Sequence, residues 1–358
     1  MKALPCLLVS LAILLAACGD DDDQAAEATE PPSGATDVEE PASPEETADE
    51  EPGAGNGQVI DGEARGLYLY SPDNGELEQV ADRNALGERG VGLDWFPDGE
   101  SLAAFGADLV RVEVGGDSHF IYEPEDLTFG TAVSPDGERI AFSCSGPASA
   151  DVCIVAADGP QLTRASEDEY FDYLLNWLDD ERILILSDSR PGAPDIPVYE
   201  GHFPQLGGYF VLNTADGNIV PATPADVADP WLSLEGEWTF SVSPEPPHAV
   251  FSDGGGGSIE IPIESEDLAG IDPTALPDQF QVAWSNGDTY AALVQRVVFD
   301  DGSFIRSAYN VWLVDLNAAT AELVVQTEPC LTDLDCLVTV DWSPDSGSLA
   351  ILFGIAGD

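Results

Sequence analysis

From residue 66 onward, runs rich in Val, Ile, Leu, Phe, Tyr and Trp alternate with clusters of Gly, Pro, Asp and Asn. No stretch carries the spacing of a long amphipathic helix, so the pattern predicts an all-β chain. One arrangement recurs six times: a large apolar residue, a polar turn, then an apolar strand. The six are LDWFPDGESLAAF (93–105), TAVSPDGERIAFS (131–143), LNWLDDERILILS (175–187), FSVSPEPPHAVFS (240–252), VAWSNGDTYAALV (282–294) and VDWSPDSGSLAIL (340–352). Their anchors are Trp95, Val133, Trp177, Val242, Trp284 and Trp342, at separations of 38, 44, 65, 42 and 58 residues. Self-similarity at this period is the mark of a propeller, and the longer separations imply loop insertions.

The turn chemistry fits a hairpin. In Ser-Pro-Asp-Gly, Pro fixes φ, Asp bonds nearby amides, and Gly accepts a left-handed backbone. A second strand–turn–strand follows in several units: DVCIVAADGPQLTRA (151–165), GYFVLNTADGNIVPAT (208–223) and NVWLVDLNAATAELVVQ (310–326). An inner pair plus an outer pair makes a four-stranded blade. The last repeat, DWSPDSGSLAILFG (341–354), has only an inner pair, and GLYLYSPDNGELEQVA (66–81) supplies an outer pair at the other end. The expectation is a six-bladed β-propeller of four-stranded blades, closed by pairing N-terminal outer strands with C-terminal inner strands.

The pattern W-S-P-D-G…L-A-F followed by I-V-x-D-x-x-G…L-T resembles the repeat of TolB-type β-propellers across residues 66–354. The likeness is clearest in the units beginning near 94, 133 and 342. TolB-type proteins carry an α/β domain before the propeller. Here an acidic segment stands in its place, so no partner contact is carried over.

Three regions follow: a signal peptide at 1–17, a lipidated cysteine and tether at 18–64, and the propeller at 65–358. The signal begins with Lys2 and an apolar run too short to span a membrane. Leu15-Ala16-Ala17-Cys18 resembles a bacterial lipobox, which implies diacylglycerol on Cys18 and anchoring to the cell membrane, facing the periplasm or the exterior. Residues 19–58 hold 14 acidic residues and no basic one. They have too little apolar surface to order themselves, and as a coil span about 35 Å.

Charge narrows the partners. With 68 acidic residues against 11 basic ones, the net charge of -57 repels nucleic acid and anionic headgroups. The expected partners are the membrane, through the lipid, and an envelope protein or small ligand. Four cysteines remain after Cys6 and Cys18: Cys144, Cys153, Cys330 and Cys336. They allow three pairings, and the two local ones, each closing a short loop, fit an exported domain.

No catalytic motif appears: no G-x-S-x-G, Walker A loop or H-E-x-x-H. No catalytic or metal-binding residue is assigned and no cofactor is expected. Calcium could be held by 332–336, by 252–258, or by Asp300 and Asp301, although none follows a spaced calcium-loop pattern. The repeated tryptophans read as packing between neighbouring sheets. Trp231 and Trp238, with Tyr199, His202 and Phe203, fall in the insertions and are the candidate binding residues. The sequence reading is an anchored binding or interaction module. The alternative is a metal-assisted hydrolase or lyase at the channel mouth.

Overall fold

A computed structural model describes residues 57–354, apart from 61–64, 87–91, 107, 125–127, 146–149, 189, 195, 197–206, 230, 245–246, 264–279, 301–304 and 330–336. The signal peptide, Cys18 and most of the tether therefore lie outside the described residues, as do Tyr199, His202, Phe203, Cys330 and Cys336. The chain divides into the units Met1–Glu50 and Glu51–Asp358. All that follows belongs to the second.

Strands β1 (Gln58–Ile60), β2 (Gly66–Ser71) and β3 (Glu76–Asp82) precede a single helical turn, α1 (Arg83–Leu86). The first sheet is β4 (Gly92–Trp95), β5 (Ser101–Phe105), β6 (Leu109–Glu113) and β7 (Ser118–Tyr122). The second is β8 (Thr128–Val133), β9 (Arg139–Ser145), β10 (Ala150–Ala156) and β11 (Leu162–Arg164). The third is β12 (Asp172–Trp177), β13 (Arg182–Ser187), β14 (Gly208–Asn213) and β15 (Ile219–Pro221). The fourth has three strands: β16 (Trp238–Pro244), β17 (Pro247–Asp253) and β18 (Ser258–Pro262). The fifth is β19 (Phe280–Trp284), β20 (Tyr290–Asp300), β21 (Ile305–Asp315) and β22 (Thr320–Thr327).

The sixth sheet joins the two ends of the described chain. Its strands run β23 (Leu337–Trp342), β24 (Leu349–Gly354), β2, β3. Leu67 opposes Leu352, Tyr68 opposes Ile351 and Leu69 opposes Ala350. This is the N-terminal outer pair completing the C-terminal inner pair, as the sequence predicts. Every pairing within the six sheets is antiparallel except one. Residues 58–60, inside the segment read as tether, form β1 and lie parallel to β22, with Val59 opposite Gln326.

Middle strands are apolar on both faces, as strands covered on both sides must be. On β13, Ile183 and Ile185 face one way and Leu184 and Leu186 the other. Five apolar clusters each span two neighbouring sheets. They join the fourth to the fifth, the fifth to the sixth, the sixth to the first, the first to the second, and the second to the third. Trp95, Trp177 and Trp342 are buried in these clusters, which is the packing role read from the repeat. The remaining face of the third sheet, with Leu184, Leu186, Tyr209 and Val211, is covered by Ile196 and Val227 from the two insertions.

A buried serine builds the recurrent turn. Ser134, Ser233, Ser285 and Ser343 are each almost fully buried. In each case the serine Oγ accepts the amide five residues on: Arg139 at 2.9 Å, Trp238 at 3.0 Å, Tyr290 at 2.8 Å and Ser348 at 2.9 Å. The serine amide in turn donates to the carbonyl of that same residue. Gly137 and Gly236 supply the left-handed backbone in two of these turns, and Ser346 takes it in the fourth at a φ of 61°.

These contacts move the fourth repeat. The sequence reading put its anchor at Val242 and its turn at Ser243–Pro247. The serine turn lies earlier, at Ser233–Trp238, so β16 corresponds to the second strand of the other sheets. The first strand is reduced to one bridge, Leu232 opposite Thr239. That reduction is why this sheet has three strands where four were expected.

Cys144 and Cys153 are disulfide-bonded, with Cα atoms 5.8 Å apart. They are not directly opposed. Cys144 pairs in register with Asp151 and Cys153 with Phe142, so the bond runs diagonally across β9 and β10. Closing so short a loop contributes about 2–3 kcal/mol on the chain-entropy account.

Replacing Ser285 with Ala strips the Tyr290 amide of its side-chain acceptor and should cost about 1–2 kcal/mol. Urea unfolding checks this as a lower midpoint at unchanged slope.

Candidate functional site

The strands that open successive sheets are tied together by the anchors and the residues just before them. The Trp95 indole donates to the Asp341 carbonyl at 3.2 Å, Trp177 to Ala132 at 2.9 Å, and Trp342 to Ala283 at 3.0 Å. Each indole therefore reaches the residue before the anchor of the preceding sheet. A second tie runs through carboxyl groups. Asp341 Oδ2 accepts the Trp95 amide at 3.3 Å, and Asp94 Oδ2 accepts the Val133 amide at 2.5 Å.

The Asp94 and Asp341 carboxyl groups are neighbours at this junction. Burial pushes the Asp94 carboxyl well above the usual carboxylate range, and the neighbouring Asp341 adds to it. Burial likewise raises Asp341, to about 6, against the pull of its amide donors. Both residues keep some accessible surface. Enclosure by protein governs their chemistry nonetheless, because desolvation depends on all surrounding atoms rather than on a sliver of contact with water.

The turns of adjacent sheets also touch. Ser233 Oγ donates to Asp288 Oδ2, Asn286 Nδ2 donates to the Pro344 carbonyl at 2.8 Å, and Arg139 donates to the Asp180 carbonyl. Arg139 also lies over the Trp177 ring, 4.9 Å from its centroid.

A cation is fixed where the first insertion leaves the third sheet. Arg190 donates to Asp168 at 2.7 Å and to Asp172 at 2.9 Å, and bonds the Ser187 hydroxyl at 3.0 Å. It stacks on Tyr170, 4.6 Å from the ring centroid. Burial raises the Asp172 carboxyl, opposed by the Ser187 hydroxyl and the Arg190 guanidinium. With its donors engaged, Arg190 pins the insertion to the sheet.

Of the candidate binding residues, Trp231 and Trp238 are described. Both are half-buried and pack against the cluster between the fourth and fifth sheets, with Trp231 5.3 Å from the Phe240 ring. Between them, Leu234 is 60% exposed and Leu232 38%. Asp253, in one of the loops weighed for calcium, accepts the Gly255 and Gly257 amides of its own turn at 2.9 and 2.6 Å. Residues 332–336, Asp301 and the side chain of Asp300 lie outside what the structure describes. Among the described residues, no group of three or more His, Cys, Asp or Glu side chains is arranged to hold a metal ion.

No family model matches the chain, and no curated protein does. Solved structures do. A putative TolB from Agrobacterium tumefaciens shares 15% identity over 81% of this chain and 98% of its own, with a TM-score of 0.47. The apo AtxE2 isopeptidase shares 16% over 84% of this chain and 54% of its own, at 0.41. TolB from Acinetobacter baumannii shares 13% over 82% and 64%, at 0.36. The chain is similar to TolB proteins. At such identities no residue role passes to it from them.

The sequence reading did not single out Asp94 and Asp341. The available signal was the Asp-Trp pair shared by the first and last repeats. Arg190 carried no repeat signal at all.

The indole ties invite a paired comparison. Trp177→Phe removes a buried hydrogen bond, whereas the buried Trp312 indole nitrogen has no partner. Trp177→Phe should therefore cost at least about 1 kcal/mol more than Trp312→Phe, measured by chemical unfolding.

Proposed function

We propose that the six sheets are the blades of one closed propeller, held at a bacterial cell membrane by a lipid on Cys18 and serving as a protein-interaction module. The observation that carries this reading is the sixth sheet, built from both ends of the described chain. Support for closure also comes from the unbroken sequence of inter-sheet clusters, fourth to fifth to sixth to first to second to third. The ring closes where the third and fourth sheets meet, and both insertions belong to that junction.

That junction is where binding is proposed. Ile196 and Val227 cover the third-sheet face. On the fourth-sheet side, Leu232 and Leu234 project from a turn that Ser233 and Asp288 hold rigid. Exposed apolar side chains on a fixed turn suit recognition of another protein, since little ordering entropy is lost on contact. Tyr199, His202 and Phe203, which lie outside the described residues, follow Ile196 in the sequence of the same insertion.

Affinity purification of the anchored protein from membranes of its own cells should recover a partner that Leu234→Asp loses without a change in unfolding temperature. Equal recovery by both forms would sink the assignment of this turn. Turnover of a substrate by the purified protein, with no partner recovered, would favour the hydrolase or lyase reading instead. Labelling with a lipid precursor tests the anchor separately: Cys18→Ala should take up none, and equal uptake refutes lipidation.

A further inference from the structure

The outer strand of a sheet leaves backbone donors and acceptors unpaired on one side. Proteins blunt such edges with short strands, charges, proline or a cover. Five of the six sheets do so. The fifth covers the end of β22 with β1 and carries Glu322 on the rest. The second and third end on β11 and β15, of three residues each. The fourth ends on β18, which carries Glu260 and closes on Pro262. The sixth ends on β3, with Glu76, Glu78 and Asp82 exposed. Strand β7, the outer strand of the first sheet, reads Ser-His-Phe-Ile-Tyr, with no acidic residue, no lysine or arginine and no proline. Its first three residues are exposed, Phe120 to 61%.

The ladder shows which backbone groups face outward. The Glu113 amide donates to the Asp117 carbonyl at 2.8 Å, and the next pair in register is Val112 with Ser118. Bonded and non-bonded pairs alternate along an antiparallel ladder, so Asp117 and His119 turn their backbone groups toward β6. Ser118 and Phe120 turn theirs outward. A bulge then ends the regular edge. Phe120 opposes Val110 and Tyr122 opposes Leu109, so Ile121 is the extra residue, and it is buried. We propose that β7 is a docking edge that takes an extended segment of another protein as an added strand, with an apolar side chain against Phe120 and basic residues toward both ends.

The fold already accepts such an addition, since β22 takes β1 in the same way. Charge specifies the ends of the incoming segment. Asp117 precedes β7 and Glu123 follows it, and both are exposed. The same two residues argue against a second copy of this chain. Antiparallel pairing of two β7 strands about Phe120 brings Asp117 of each copy near Glu123 of the other. Parallel pairing sets each carboxylate near its own counterpart. Like charges opposed across a pair are destabilising. The net charge of -57 adds repulsion between copies at longer range. A segment with Lys or Arg toward its ends meets neither obstacle. This edge belongs to the first sheet and the Leu234 turn to the fourth, so the two surfaces are tested independently.

A phage-displayed library of random short peptides, selected on the whole protein at physiological salt, tests the edge. One family of selected peptides should carry an apolar centre with Lys or Arg on both sides. Its Kd should rise about tenfold or more on Phe120→Ser, which removes apolar burial without adding charge, and stay unchanged on Leu234→Asp. Hydrogen exchange of the wild type with such a peptide bound should slow at the Ser118 and Phe120 amides. Adhesion of a basic peptide to an acidic surface leaves those amides as they were. Equal affinity for the wild type and Phe120→Ser overturns the proposal, as does a selection that yields no such family. Should Phe120→Ser fail to fold, the exchange measurement on the wild type decides: slowing at the two amides supports the docking edge, and unchanged exchange overturns it.

Discussion

A sheet with apolar side chains on both faces cannot stand in water, and this condition organises the molecule. Each middle strand carries such side chains on both sides, so each sheet needs a neighbour on either hand. The clusters record how the need is met, sheet by sheet, from the fourth around to the third. Where no sheet is seen to cover a face, the chain supplies Ile196 and Val227 from its insertions. Indole and carboxyl ties add direction to this packing. They tie the opening strands of neighbouring sheets to one another, and they use hydrogen-bonding groups that would otherwise be buried without partners.

Much of this was legible because the turn is made locally. Ser, Asp and Gly within six residues determine the hairpin, so Ser134–Arg139 could be read directly from its letters. The fourth repeat was misplaced for a physical reason. Ser233-Leu234-Glu235-Gly236 keeps the serine and the glycine but lacks Pro-Asp, whereas Ser243-Pro244 ends β16 where the chain reverses into β17, one strand later than the recurrent turn. What matters is a buried Oγ five residues before an amide, and a search for Pro-Asp does not test for that. The diagonal disulfide and the Asp94–Asp341 juxtaposition depend on register and on residues far apart in the chain. The cysteine spacing suggested the first, and nothing local encoded the second.

Charge is distributed with similar economy. Arg111, Arg139, Arg164, Arg182 and Arg190 are each paired with carboxylates of the same molecule, at turns, edges or the root of an insertion. These arginines thus serve internal ties, and the outward field is set by the acidic residues, which far outnumber the basic ones. That field repels polyanions and favours neutral or basic surfaces. An apolar turn such as Leu232–Leu234 is then a local exception on a surface that otherwise keeps like molecules apart.

The short parallel pairing of β1 with β22 has a mechanical consequence. The chain touches the fifth sheet through Gln58–Ile60 before it enters the sixth through β2. Tension arriving from the N-terminal side therefore loads three residues of ladder first. Strand β2, held on both sides by β24 and β3, is loaded only after that ladder parts. The small contact is thus the first fastener in line, placed ahead of the strand that joins the two ends of the fold.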